Sequence, residues 1–316
     1  MQVANITHIR RKNHFKIGKN EYTVNETLTG FSFLAPCFIL SFIFVLIPIV
    51  ISLVLAFTDA NMGRLDQIQW VWFDNFRILF KDLFNKNGEI LVALKNTMIF
   101  VLGVMPLQFG ASLGLALLLN KVKHFNTFLR WAFFAPVMLS LAVTSMLWMN
   151  LLNKENGLIN TFLLALGASP MEFLDSPKQA MGCIIFISAW QGAGYQMLIF
   201  LSGLKNIPKD LYEAASIDRA NAWQKFIHIT LPSLKPTLVF VFITMLIGAF
   251  RVCVQPMIMT GGGPLDSTLT MSYLIYKTGI EYHDVGYSSA IALFYTIIIA
   301  SVSLTLRKVL GGDNEA

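Results

Sequence analysis

Charge and cysteine are what this sequence has least of. Only 13% of its 316 residues are Asp, Glu, Lys or Arg, while 55% are hydrophobic; ordinary soluble domains carry about 25% charged residues. A soluble globular core is therefore the weaker reading. The three cysteines, Cys37, Cys183 and Cys253, each lie in an apolar run without metal-ligand spacing, so they imply neither a disulfide framework nor a zinc site. The histidines His8, His14, His124, His228 and His283 show no ligand spacing either and read as solvated or interfacial. No catalytic constellation, metal or cofactor is expected. A G-x-x-x-x-G-K-S/T phosphate loop is missing, so this chain is not expected to be an ATPase itself. Internal repeats and low-complexity tracts are missing too, which disfavours the repeat-built secondary transporters.

What the chain has instead is long apolar runs. A helix crosses roughly 30 Å of hydrocarbon with about 20 residues, and runs of that length occur at Phe31–Phe57, Asn96–Leu119, Phe128–Leu152, Met181–Leu204, Thr237–Met259 and Val285–Leu306. The fold class expected is all-α, a polytopic membrane protein of six transmembrane helices. Residues 1–30 and 307–316 are its tails, and 31–306 its membrane domain. The first run is far longer than the 7–15 residues of a signal h-region and reads as a retained helix.

The net charge of +6 orients the chain and does not call for a nucleic-acid partner. Arg10, Arg11, Lys12, Lys16, Lys19, Lys121, Lys123, Arg130, Lys205, Lys209, Arg219, Lys225, Lys235, Arg307 and Lys308 fall on one side of the runs. The other side holds Arg64, Arg77, Lys81, Lys86, Lys95, Lys154, Lys178 and Lys277 among many acids. The more basic side is expected to be cytoplasmic, with both termini there. The external segment 58–95 carries Trp70, Trp72, Phe73, Phe76, Phe80 and Phe84, which read as interfacial anchors touching membrane lipid.

The cytoplasmic segment 205–236 is too long for a tight connection. Ile207-Pro208 precedes Asp210 and Glu213, which predicts a helix start favoured by its dipole. Ala214, Ala215, Ser216 and Ala220 keep that surface small enough for a close protein partner. A second stripe, Trp223, Phe226, Ile227 and Thr230, predicts an amphipathic helix ending at Leu231-Pro232.

These residues carry a resemblance. Glu213-Ala214-Ala215 with Asp218, Ala220, Phe226, Ile229, Leu231 and Pro232 resembles the EAA signature of membrane subunits of bacterial ATP-binding-cassette importers. Trp190, Gly203-Leu204 and Leu211-Tyr212 upstream extend the match, as do Tyr273, Tyr276, Gly286-Tyr287 and Ser289-Ala290 downstream. Thr260-Gly261-Gly262-Gly263-Pro264 with Ser267-Thr268 resembles the carbohydrate (MalF-like) branch. The resemblance implies the type I permease fold in the bacterial cytoplasmic membrane. It also implies a second homologous permease subunit, two cytoplasmic ATPase subunits, an extracytoplasmic solute-binding protein and a carbohydrate substrate, of di- or oligosaccharide size. ATPase docking would fall to Glu213, Ala214, Ala215, Asp218, Arg219, Ala220, Leu231 and Pro232. Arg219 departs from the pattern, because the family usually has glycine there, and arginine must either adopt a tight bend at a cost or change that bend slightly.

A charge inside hydrocarbon must face protein or water. Arg251 is the one charged residue well inside a run, and Gln255, four residues on, would share its helical face. Trp190, Gln191 and Tyr195 offer the stacking and hydrogen bonding that sugars use, while Gly192 and Gly194 allow close helix approach. These five form the candidate substrate path, with packing between helices as the competing role for each. An ATP-independent secondary transporter or channel is the alternative; it calls for several buried ionisable groups. A membrane enzyme would want clustered His, Asp or Glu, which the sequence lacks.

Overall fold

The computed structural model describes residues 14–17, 20–121 and 126–311. Arg10, Arg11, Lys12, Lys19, Lys123, His8 and His124 lie outside the described residues.

The chain divides into two units, Met1–Leu55 and Ala56–Ala316. In the first, strands β1 (His14–Ile17) and β2 (Asn20–Thr23) pair antiparallel, with His14 opposite Thr23. Helix α1 (Val24–Ser41) follows and continues through a π turn, Phe42–Leu46, into α2 (Ile47–Leu55). Ser32–Leu55 is a 24-residue apolar helix, about 36 Å long at 1.5 Å per residue. It is apolar all round and long enough to span.

The second unit is built on α4 (Glu89–Lys121) and α8 (Ala180–Lys205), which pack along their length. Their shared core includes Phe100, Ile184, Ile187, Met197 and Phe200, all buried, and the Phe109 ring meets Phe200 edge-on at 5.3 Å. The close approach is permitted by Gly192, where a Cβ would run into the Gln108 side chain of α4. Helix α3 (Asp74–Leu83) precedes α4, and Asp82 accepts from the Ile90 amide to fix that junction. Both α12 (Lys235–Phe250) and α15 (Val285–Gly311) belong to the same bundle; α12 touches α4, α8 and α15.

The run expected as one span at Phe128–Leu152 is broken. Helices α5 (Asn126–Met138) and α6 (Leu141–Leu151) meet at 95°. Pro136 lacks an amide and crowds the preceding turn. Ser140, in extended conformation, then accepts from the Val143 amide at 3.2 Å and caps a new helix. Five helices among the described residues are therefore long and apolar enough to span on their own, or six with the bent pair as one. After α6, the short α7 (Leu158–Ala165) leads toward α8.

A second expectation also needs correcting. The amphipathic helix of the 205–236 segment does not stop at Pro232. Helix α10 (Ala222–Lys225) passes through a π turn at Phe226–Thr230 into α11 (Leu231–Ser233), with Pro232 inside. Widening the helix to i→i+5 bonding, as in Leu231 N–H to Phe226 O, absorbs the missing proline amide. Only Leu234 then separates α11 from α12, and its amide still bonds the Thr230 carbonyl at 3.0 Å.

Candidate functional site

A helix begins after Ile207-Pro208, as the proline and the acids beyond it predict. Pro208 is the N-cap of α9 (Lys209–Ile217), and none of its residues is buried. Ile217 and Trp223 are 83% and 67% exposed. Tyr212 Oη lies 2.9 Å from Thr230 Oγ1, and Lys225 Nζ donates to Ser216 Oγ at 2.6 Å. The two short helices are thus tied into one hairpin.

The bend between them is a Schellman closure. The Ala220 amide reaches back to the Ala215 carbonyl at 2.9 Å and the Arg219 amide to Ser216 at 3.1 Å. Arg219 has φ +58°, the left-handed conformation that glycine takes freely and other residues take at about 1–2 kcal/mol. The same closure ends α7, where the position is filled by Gly167 at φ +77°.

At the other end of α12 lies a cavity of about 250 Å3. It exists because the span is broken. Helix α12 ends at Phe250, Arg251–Cys253 is not helical, and α13 (Val254–Met259) resumes. A break inside an apolar span frees backbone carbonyls that lipid cannot satisfy. Here side chains satisfy them. Phe250 O accepts from Tyr295 Oη at 2.6 Å and Ser272 Oγ at 3.2 Å, and Val252 O accepts from Thr270 Oγ1 at 2.9 Å. Ser272 stands on α14 (Met271–Tyr276), which Thr97 Oγ1 of α4 anchors by accepting the Met271 amide at 2.9 Å. Thr260–Gly263 makes the turn before α14, with Gly261 and Gly262 at φ +58° and +84°. Thr268 Oγ1 closes it onto the Gly263 carbonyl.

Arg251 and Gln255 both line this cavity. They do not share a continuous helical face, as their spacing predicts; the break turns both toward one space, with Arg251 exposed and Gln255 buried. The other three path residues lie elsewhere. Gln191 is buried, donating to the Leu139 carbonyl at 3.2 Å and Thr144 Oγ1 at 3.1 Å, so it braces the α5–α6 break. Trp190 meets the Trp148 ring at 5.5 Å and lines a separate apolar cavity between α4, α5 and α8. Tyr195 is 52% exposed. Gly194 faces the Phe133 backbone of α5, where no Cβ fits.

Gln108, Ser188, Gln196 and Thr244 line the Arg251 cavity as well, and the sequence reading passed over them. Gln108 Nε2 donates to Gln196 Oε1 at 3.0 Å. The signal was present: an amide inside an apolar span is costly wherever it stands. Which of the span amides share one space is not visible along the chain.

A family model described as binding-protein-dependent transport system inner membrane component matches residues 112–310. The probable ABC transporter permease protein YesP of Bacillus subtilis is 35% identical over 288 residues, 90% of each chain. The arabinooligosaccharides transport system permease protein AraP of the same organism is 33% identical over 298 residues, 93% of this chain and 92% of that one. In fold the chain matches the crystal structure of a bacterial ABC transporter involved in the import of the acidic polysaccharide alginate. The TM-score is 0.81 at 22% identity, covering 92% of this chain and 98% of that one.

Proposed function

Because the chain belongs to the family of binding-protein-dependent transport system inner membrane components, we propose that it forms half of the membrane path of an ATP-driven carbohydrate importer, with α9 docking on a separate ATPase. The chain is a membrane-embedded transport subunit and not an enzyme. Its partners in this reading are a second permease subunit, two ATPase subunits and an external binding protein. Both termini sit in the cytoplasm with the basic 205–236 segment, and the membrane is the bacterial inner membrane. The sugar class follows from AraP, whose name specifies arabinooligosaccharides.

One observation carries the reading. After the bend at 218–221, which Tyr212–Thr230 and Lys225–Ser216 tie to α9, the chain runs through α10, the π turn, α11 and α12 with a single non-helical residue, Leu234, into the wall of the Arg251 cavity. Leu234 is itself fully buried, so a push on α9 has a stiff route to the cavity. ATP binding would draw the ATPases together and carry α9 with them, reorienting the cavity; hydrolysis resets it. The amides and hydroxyls on the cavity wall suit a polyhydroxylated solute.

Glu213→Lys reverses the charge and lengthens the side chain on the exposed face of α9 without touching a buried residue. In proteoliposomes holding the complete complex, uptake is expected to fall at least tenfold while membrane insertion persists. Unchanged uptake refutes α9 as the docking helix.

A further inference from the structure

Among the described residues, Arg251 is the only charged one on the wall of its cavity, which therefore carries charge of one sign. It lies within the apolar stretch Lys235–Met259. Among the described residues its guanidinium has neither an ion pair nor a hydrogen bond. A cation at that depth is expensive and is ordinarily paired or hydrated. No Asp or Glu on the wall neutralises it. Around it stand neutral groups with bonding capacity to spare. Ser188 Oγ is buried without a partner, and Gln255 makes no side-chain hydrogen bond among the described residues. The Gln108–Gln196 pair uses only one donor and one acceptor of its four groups.

We propose that this cavity takes an acidic carbohydrate, its carboxylate paired with Arg251 and its hydroxyls with Gln255, Gln196 and Ser188. The proposal rests on the importer reading above and narrows its substrate to sugars bearing an anionic group. A guanidinium matches a carboxylate bidentately, and binding would remove the unbalanced charge from the path. The volume of about 250 Å3 equals roughly eight waters at 30 Å3 each, room for one uronate ring at a time. A carboxylate from the companion subunit offers the same chemistry to Arg251. It would leave Ser188 and the amides unpartnered, which a polyhydroxylated anion does not.

The test uses the complete complex with its binding protein in proteoliposomes. The probes are oligouronides of galacturonate, glucuronate and mannuronate, each beside its carboxyl-reduced, neutral counterpart. The wild type is expected to import at least one oligouronide in preference to its reduced form. Arg251→Gln should lower that preference on the order of 10- to 100-fold, the loss of one charged hydrogen-bonded pair, and Arg251→Lys should restore part of it. Preference for reduced oligosaccharides, unchanged by Arg251→Gln, overturns the acidic class and leaves the importer standing. Loss of the companion subunit from purified Arg251→Gln assigns the carboxylate to that subunit and overturns the proposal. ATP-driven uptake of neither set overturns the carbohydrate reading itself, and the proposal with it.

Discussion

Replacing Thr270 by valine removes the hydroxyl that holds the Val252 carbonyl at 2.9 Å and keeps the side chain's shape. Thr270 is fully buried and Val252 is 6% exposed, so no water takes the hydroxyl's place. A buried acceptor left unsatisfied costs about 1–3 kcal/mol. At about 2–4 °C per kcal/mol for a domain of this size, the midpoint of thermal unfolding of the detergent-purified complex should drop by about 5 °C. Thr270→Ser keeps the donor and should stay close to wild type. The break also aims Arg251 at the cavity, so uptake in proteoliposomes should fall more than the loss of folded protein explains. A Thr270→Val complex with wild-type unfolding and wild-type uptake would refute the argument that side-chain hydrogen bonds hold the broken span.

Gly194→Val drives a side chain into the Phe133 backbone; overpacking of about 1–3 kcal/mol should lower the folded yield from membranes, read by size-exclusion profile, whereas Gly182→Val, where a Cβ meets nothing within 4 Å, should not. Arg219→Gly relieves the left-handed strain at φ +58° and should stabilise the α9–α10 hairpin by about 1 kcal/mol, seen as slower proteolysis of the loop. Gly167→Arg, in the same closure at the end of α7, should destabilise its own loop by a similar amount, and matching behaviour of both variants to wild type would exclude the Schellman assignment.

Much of this protein is legible along the chain, for reasons that are local. Crossing a membrane demands a length of apolar helix whatever its neighbours do, so the runs near Asn96, Met181, Thr237 and Val285 coincide with α4, α8, α12–α13 and α15. Pro208 and the acids after it act on their own turn, and α9 begins at Lys209. The constrained bend at Arg219 is likewise a backbone matter of adjacent residues. Other features hang on residues far away in sequence. Pro232 reads as a stop, yet a π turn absorbs it. The 95° break after Met138 is braced by Gln191, 52 residues beyond the carbonyl it holds.

Most of all, Arg251 and Gln255 share a cavity because their helix is interrupted. That interruption stands only where Thr270, Ser272 and Tyr295 bring donors to the freed carbonyls. A sequence can announce that a polar group in an apolar span needs a partner. Which partner it finds depends on the approach of helices that are distant along the chain, and that is decided by packing.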